Sequence, residues 1–467
     1  MERMNFRKLI FLMALLFLAI PLLNAAGPVY ILLWFDTEDY VDPASDDAAL
    51  RIATDLSSLG VRATFKLVGE KARVLEQRGR IDVIRALSHH AIGFHSNFHS
   101  IQPTPSVYLR RLGYLEGAQE FQRREQPGAL DIRRIFGVTP ICYGQPGSSW
   151  APQANLALRR MNIPVYLDEA SHVGIGGQPF WYGGLLYIFN MVPNLYRPTL
   201  DTESGSYQKL DEMVQRLAAS GGGVISSYFH PTEFINSEFW DAANFSAGAL
   251  PERSQWKRPR AKSNADAERG FRILHDYVSH ASKLPGVQFV TAQDLLQIYA
   301  PAAPPTVGRT EIAQHLAHEI TFLNTPAGAL SPADMLQQLL GMKVTTVDGP
   351  VSRGVTTLQT ATIRKDLFEK AKRDAADFIA TNHRLPAEVF VGVDTLSLAD
   401  FTATLAGAEL STGEVHRMTA NTTFEKYFAT DAKAAFQWPI HPDNFAAPEL
   451  MELAKLQGWT LKPARLR

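Results

Sequence analysis

The chain has 467 residues, 46% of them hydrophobic, and its 46 basic residues against 47 acidic ones leave a formal net charge of −1. That length can bury a large core and predicts two domains, or one large barrel with an appendage. The balance excludes the overall charge bias of a nucleic-acid or anionic-membrane binder, and the lone Cys142 excludes an intrachain disulfide.

Arg3, Arg7 and Lys8 precede an apolar run from Leu9 to Leu23, and small residues follow at Ala25-Ala26-Gly27. Residues 1–26 are therefore expected to be a signal peptide or, because the cleavage pattern is imperfect, a membrane anchor. Either way the protein is expected to be exported, to the periplasm, the medium or the membrane surface.

The hydrophobic run Val29 to Phe35 reads as a buried parallel strand, and it exits into Asp36-Thr37-Glu38-Asp39. Alternation places Asp36 and Glu38 on one face, and Asp39 joins them if the chain turns. A helix over Asp46 to Leu59, a strand over Val61 to Val68 and an amphipathic stretch from Gly69 to Ser88 follow. The next strand, Ala91 to Phe94, runs into His95-Ser96-Asn97-Phe98-His99. Further strands are expected at Thr139 to Tyr143, Ile163 to Leu167, Leu185 to Asn190, Gly223 to Phe229 and Val287 to Thr291. Strands separated by helices predict an α/β domain with a parallel, barrel-like sheet. Polar residues gather where these strands end: Asp36 to Asp39, His95 and His99, Gln145, Asp168-Glu169, and His230 with Glu233. His89 and His90 precede their strand and are expected at the opposite rim, on the surface. Cys142 lies within an expected strand and reads as a buried, inert thiol.

The stretch Ala300-Pro301-Ala302-Ala303-Pro304-Pro305 reads as an interdomain linker. Beyond it, Leu330 to Leu336 and Leu396 to Phe401 each read as the start of a Ser-capped helix, with a short strand expected near Leu385 to Gly392. The expected domains are thus 1–26, 27–300 and 301–467, the last a smaller, mostly helical module.

A helical turn after Phe94 would bring His95 and His99 together at i, i+4. Two imidazoles and a carboxylate, Glu38 or Asp39, suit a catalytic divalent ion. With these residues in view, the stretch from Val29 to Tyr299 resembles the polysaccharide deacetylase (NodB-like) family of metal-dependent carbohydrate esterases. The resemblance rests on Phe35-Asp36-Thr37-Glu38-Asp39, on Ala63-Thr64-Phe65 with Val68-Gly69, on His95-Ser96-Asn97-Phe98-His99, on Ser226 to Pro231 and on Val287 to Thr291. It implies a distorted parallel (β/α) barrel, with Asp36 as catalytic base, His230 as general acid, and one divalent ion at His95, His99 and an acid. Zinc is expected before cobalt, nickel or manganese.

Two departures stand out. Where the family carries an Arg that orients the base, this chain has Gly144, in Tyr143-Gly144-Gln145-Pro146-Gly147. Gln145 can hydrogen-bond there but supplies no charge. The Asp that tunes the acid is matched loosely by Asp168, with Glu233 as the alternative partner of His230. Trp150, Trp181, Tyr182 and Trp240 are candidates for stacking on sugar rings, with core packing as their default.

The expected function is hydrolytic removal of N-acetyl groups from an envelope polysaccharide or exopolysaccharide. The alternatives are hydrolysis of another non-peptide amide bond, as in cyclic ureides, and a non-catalytic carbohydrate binder with a decayed site. Through Leu385-Pro386 and Leu396 to Leu405, the segment from Thr306 to Arg467 resembles pseudomurein-binding repeats, which implies a cell-wall polymer as partner. No nucleic acid is expected.

Overall fold

Val29–Thr37 (β1) lies at the middle of the fold because it has no polar residue before Asp36 and is buried along nearly its whole length. The computed structural model describes residues 27–201, 207–299 and 305–466, so the N-terminal segment and most of the linker lie outside the described residues. The sheet contains β2 (Thr64–Leu67), β3 (Ala91–Phe94), β4 (Cys142–Tyr143), β5 (Val165–Leu167), β6 (Phe180–Tyr182), β7 (Leu185–Ile188), β8 (Gly223–Phe229), β9 (Val287–Val290) and β10 (Lys462–Pro463). Its order is β10-β6-β7-β5-β4-β3-β2-β1-β8, with β9 also paired to β1.

β8 pairs with β1 over Val29 to Phe35, while β2 takes Trp34 to Thr37 and β9 takes Val29 to Leu32 on the other edge. The parallel part of the expected barrel is thus present from β7 through β8, as a curled, incompletely closed sheet. It is corrected at one margin, where β6 runs antiparallel to both β7 and β10. Among the described residues the free edge of β8 meets only an isolated bridge between Leu195 and Ser226, so the sheet curls without a complete closing strand. Each parallel strand delivers its last residues to one rim, and that rim holds the polar clusters.

Several boundaries shift for local reasons. The stretch from Gly69 to Ser88 forms two helices, Gly69–Gln77 and Ile81–Leu87, because Gly79 takes a left-handed φ of 66° between them. His90 is not a surface residue. It is buried, its Nε2 lies 3.0 Å from the Ala53 carbonyl oxygen, and its Nδ1 accepts from the Ala63 amide at 3.2 Å.

Beyond residue 305 the chain forms helices Arg309–His318, Pro332–Leu339, Lys365–Asn382, Leu398–Leu410 and Pro448–Gln457, with short two-stranded pairings between them. Ser331 and Ser397 cap their helices by accepting from the amides of Asp334 and Asp400 at 3.1 and 3.2 Å. This part shares its apolar core with the barrel. β10 pairs with β6, and the Asp348 carboxylate accepts from Tyr114 Oη at 3.0 Å and Arg159 Nη2 at 2.5 Å.

Candidate active site

The strand ends of β1, β3, β5 and β8 converge on one cavity of about 520 Å³, whose walls include Asp36, Glu38, His95, His99, Asp168 and His230. At its floor Glu38 Oε2 lies 3.1 Å from His95 Nε2 and 3.0 Å from His99 Nε2. The three donor atoms fall within 4.8 Å of one another, and all three residues are no more than 4% exposed.

The surroundings fix their orientation. His95 Nδ1 lies 3.1 Å from the Gly144 carbonyl oxygen, an acceptor only, so Nδ1 carries the hydrogen and Nε2 is free to bind. His99 Nδ1 lies 2.6 Å from Ser100 Oγ, which likewise leaves Nε2 facing Glu38. The other Glu38 oxygen, Oε1, accepts from Trp240 Nε1 at 2.9 Å. Partners of this kind hold ligand rings and carboxylates in place at metal centres. Burial would raise the Glu38 carboxyl, but the positive charges of His99 and His230 and the hydrogen bond with His95 outweigh it and hold the group well below its usual range. Burial likewise opposes charge on His99, and Glu38 overcomes it, so His99 is pushed up in the metal-free protein. Two buried imidazoles turned on one carboxylate, with His99 Nε2 making no regular hydrogen bond, fit a divalent cation.

His95 and His99 do not meet through a helical turn as the spacing suggested. The segment is a loop in which Ser96 and His99 take left-handed φ values of 63° and 58°. The Asn97 amide donates to Glu125 Oε2 at 2.7 Å, and the Asn97 side chain donates to the Arg124 carbonyl at 2.9 Å, so the helix Tyr114–Phe136 braces the loop.

Of the two acids left open for the metal, the structure brings Glu38 to the histidines and turns Asp39 away. Asp39 Oδ1 accepts from the amides of Val41 and Asp42, both at 2.9 Å, and Oδ2 accepts from Thr232 Oγ1 at 3.0 Å. Its carboxylate stabilises the turn after β1, and burial raises it to about 6.

Asp36 lies beside this cluster, with Oδ1 3.7 Å from His95 Nδ1 and Oδ2 3.7 Å from His230 Nε2. His230 Nδ1 lies 2.8 Å from Glu233 Oε1, and Arg197 pairs with the other oxygen of that carboxylate. Burial opposes a charge on His230, yet Glu38, Glu233 and Asp36 together raise it to about 9. Glu233, rather than Asp168, is therefore the carboxylate that faces the histidine.

Asp168 has a different partner, which sequence reasoning missed. Lys66 Nζ, fully buried, lies 2.9 Å from Asp36 Oδ1 and 2.9 Å from Asp168 Oδ2. Asp36, His95 and Asp168 also lie close enough to suggest a second metal cluster, but the lysine ammonium already supplies the cation between those two acids. Gln145 is buried in the cavity wall and donates to the Gly147 carbonyl at 3.1 Å, so it shapes the loop. Trp150 and Tyr182 are core residues, as is Trp240 apart from its bond to Glu38. Trp181 is half-buried on β6. Part of the cavity wall comes from Ala434, Gln437, Trp438 and Pro439 of the C-terminal part, with Trp438 Nε1 donating to Asp241 Oδ2 at 2.9 Å.

No family model and no curated protein matches the chain. Among solved structures it is similar to a mutant of the peptidoglycan deacetylase PdaC from Bacillus subtilis, at 13% identity over 58% of this chain and 92% of that one, with a TM-score of 0.30. It is similar as well to the Xyl-CE4 domain of a multidomain xylanase from the hindgut metagenome of Trinervitermes trinervoides, at 16% identity over 60% and 95%, with a TM-score of 0.29. A 4-alpha-glucanotransferase from Thermococcus litoralis matches at 11% identity over 62% and 43%, with a TM-score of 0.40. Likenesses this partial do not carry an activity to the chain.

Proposed function

We propose that the protein is an exported metal-dependent hydrolase that removes N-acetyl groups from a polysaccharide. The observation that carries this reading is the cavity in which a Glu38-His95-His99 donor set adjoins a carboxylate, Asp36, and a histidine biased towards its charged form, His230, which lie 3.7 Å apart. Residues that hold a divalent ion would be these three, and such an ion supplies Lewis acidity towards an acetamide carbonyl. Export is supported by the basic and apolar sequence before Gly27.

The proton movements belong to the chain's own groups. Asp36 Oδ2, the oxygen not held by Lys66, accepts the proton of the attacking water. His230 Nε2, on the same side of the cavity, delivers a proton to the departing amine nitrogen, while Nδ1 remains on Glu233. Because Glu38, Glu233 and Asp36 raise His230 to about 9 against burial, the acid holds its proton near neutral pH.

The test combines metal analysis with acetate release from N-acetylated chito-oligosaccharides. Glu38→Ala and His99→Ala are expected to lose the ion and all turnover, whereas Asp39→Ala retains the ion and loses stability. A wild type that binds one ion yet releases no acetate from acetylated glycans would end the deacetylase reading. Metal retained in Glu38→Ala at wild-type stoichiometry would end the site assignment.

A further inference from the structure

β1 and β2 bring Asp36 and Lys66 side by side, since they are register partners in the parallel ladder. The next residue across the sheet is Gly93, where a Cβ would come within 2.8 Å of Lys66 Cγ. The lysine thus runs over a position without a side chain and reaches the end of β5. There its ammonium donates to the Leu167 carbonyl at 2.8 Å and to Asp168 Oδ2 at 2.9 Å, while Asp36 Oδ1 stands 2.9 Å away on its own side. Two hydrogen bonds thus anchor the ammonium at the end of β5, and it meets Asp36 as a close ion pair. The face of Trp34 lies 4.3 Å from Nζ and closes the remaining side.

Gly144 completes the arrangement. Its φ is not left-handed, so backbone conformation does not require glycine. Space does: a Cβ would lie 2.1 Å from Lys66 Nζ, 2.4 Å from Asp168 Oδ2 and 2.7 Å from the Leu167 carbonyl oxygen. Position 144 is bare because the lysine head and its partners occupy the volume that a side chain would take.

We propose that Lys66 is the positioning residue for the base: anchored by Asp168 and Leu167, it holds Asp36 Oδ1 so that Oδ2 is the oxygen turned to the reacting water. This rests on the hydrolase reading above for the role of Asp36. Burial alone would discharge a lysine, but Asp168 and Asp36 outweigh it and keep the group charged. A fully buried ammonium, hydrogen-bonded to Asp168 and Leu167 and ion-paired with Asp36, fixes the aim of a carboxylate more tightly than water could.

The experiment uses the full-length, metal-loaded protein. Lys66→Met is expected to retain the ion and a KM within about threefold of wild type while kcat falls about tenfold to a hundredfold, the scale of a misplaced reacting group. Asp168→Asn, which leaves the lysine but loosens its anchor, changes kcat in the same direction by less, and serves if Lys66→Met does not fold. An unaltered kcat in the folded Lys66→Met protein, or in Asp168→Asn if that is the variant that folds, overturns the proposal. A second readout needs no turnover: in denaturant unfolding of the metal-free protein, Lys66→Met and Asp36→Asn, or Asp168→Asn and Asp36→Asn in its place, are expected to be non-additive, with Lys66→Met costing less once Asp36 is neutral and Asp168→Asn costing more, since it then takes the last carboxylate from the buried ammonium. Additive effects would overturn the pairing. A wild type inert on every acetylated glycan would overturn the hydrolase reading instead and leave the unfolding cycle to decide the pairing.

Discussion

At the scale of single residues, the site is a set of charges whose balance sets its working pH. His230 is raised from 6.5 to about 9 in the metal-free protein, against burial, by Glu38, Glu233 and Asp36. A group raised on folding is charged below that value and loses its charge as pH rises through it, so general acid catalysis is present at neutral pH and disappears on the alkaline side. An ion bound at Glu38 offsets that carboxylate's charge, so the alkaline limb of kcat for the loaded enzyme is expected at lower pH than the value of about 9 in the metal-free protein. Glu233→Gln removes the second partner and is expected to move the limb towards lower pH, with the metal retained. His230→Ala abolishes the limb and lowers kcat by about 10²–10⁴. Parallel pH–rate profiles for wild type and Glu233→Gln are the check, and coincident alkaline limbs would refute the assignment of Glu233 as the partner of His230.

At the scale of the element, the legible features were those with a strong local signal. The hydrophobic runs of β1, β3 and β8 lie close to where the sequence placed them, because buried parallel strands are unbroken apolar runs. The two antiparallel strands at the margin were missed: β6 begins within an aromatic stretch without alternation, and β10 is two residues long. Asp36, Glu38, His95, His99 and His230 were legible as strand-end polar residues, but Lys66 was read as one residue of a strand. Its signal was a lysine at the centre of the apolar run Val61 to Val68, an expensive place for a charge unless acids receive it. The helical turn predicted for His95 to His99 failed because the loop is shaped from outside, by Glu125 and Arg124 of the neighbouring helix. That helix carries Gly128 in its interior, at a propensity cost of about 1 kcal/mol. The reason is close approach, since a Cβ there would lie 2.8 Å from Asn97 Oδ1 and 2.9 Å from Asn97 Cα. Gly128→Ala should therefore push the loop off its seat and weaken metal binding about 10- to 100-fold, the usual effect of disturbing outer partners of a metal site. Metal titration is the measurement, and an unchanged Kd would show that the loop does not depend on this contact.

At the scale of the whole molecule, the proline-rich stretch near residue 300 reads as a linker between separate domains, and the contacts across it predict that residues 27–300 do not fold and work alone. β10 covers the edge of the sheet by pairing Lys462 with Trp181 and Pro463 with Phe180. Asp348 satisfies Tyr114, which is buried in the barrel's helical layer, and pairs with Arg159, a mostly buried guanidinium that it holds in the charged form. The stretch from Ala434 to Pro439 forms one wall of the active-site cavity, and Trp438 packs where a side chain on Gly147 would stand, 2.2 Å from its Cβ position. Removing everything after residue 300 leaves Arg159 without its carboxylate, a change that costs about 3–5 kcal/mol when a buried pair is broken from one side. It also uncovers apolar surface of the shared core and opens the sheet edge at β6 to other chains. The truncated protein is expected to aggregate or to melt well below the full chain, and where it survives, to show a raised KM for glycan because one wall of the cavity is gone. Arg159→Met, which replaces the guanidinium with an apolar side chain, should recover part of the lost stability in the truncated protein while destabilising the intact one. Thermal unfolding of the four proteins measures this. Equal melting temperatures for full-length and truncated chains, with KM unchanged, would show that the C-terminal part is an appendage after all.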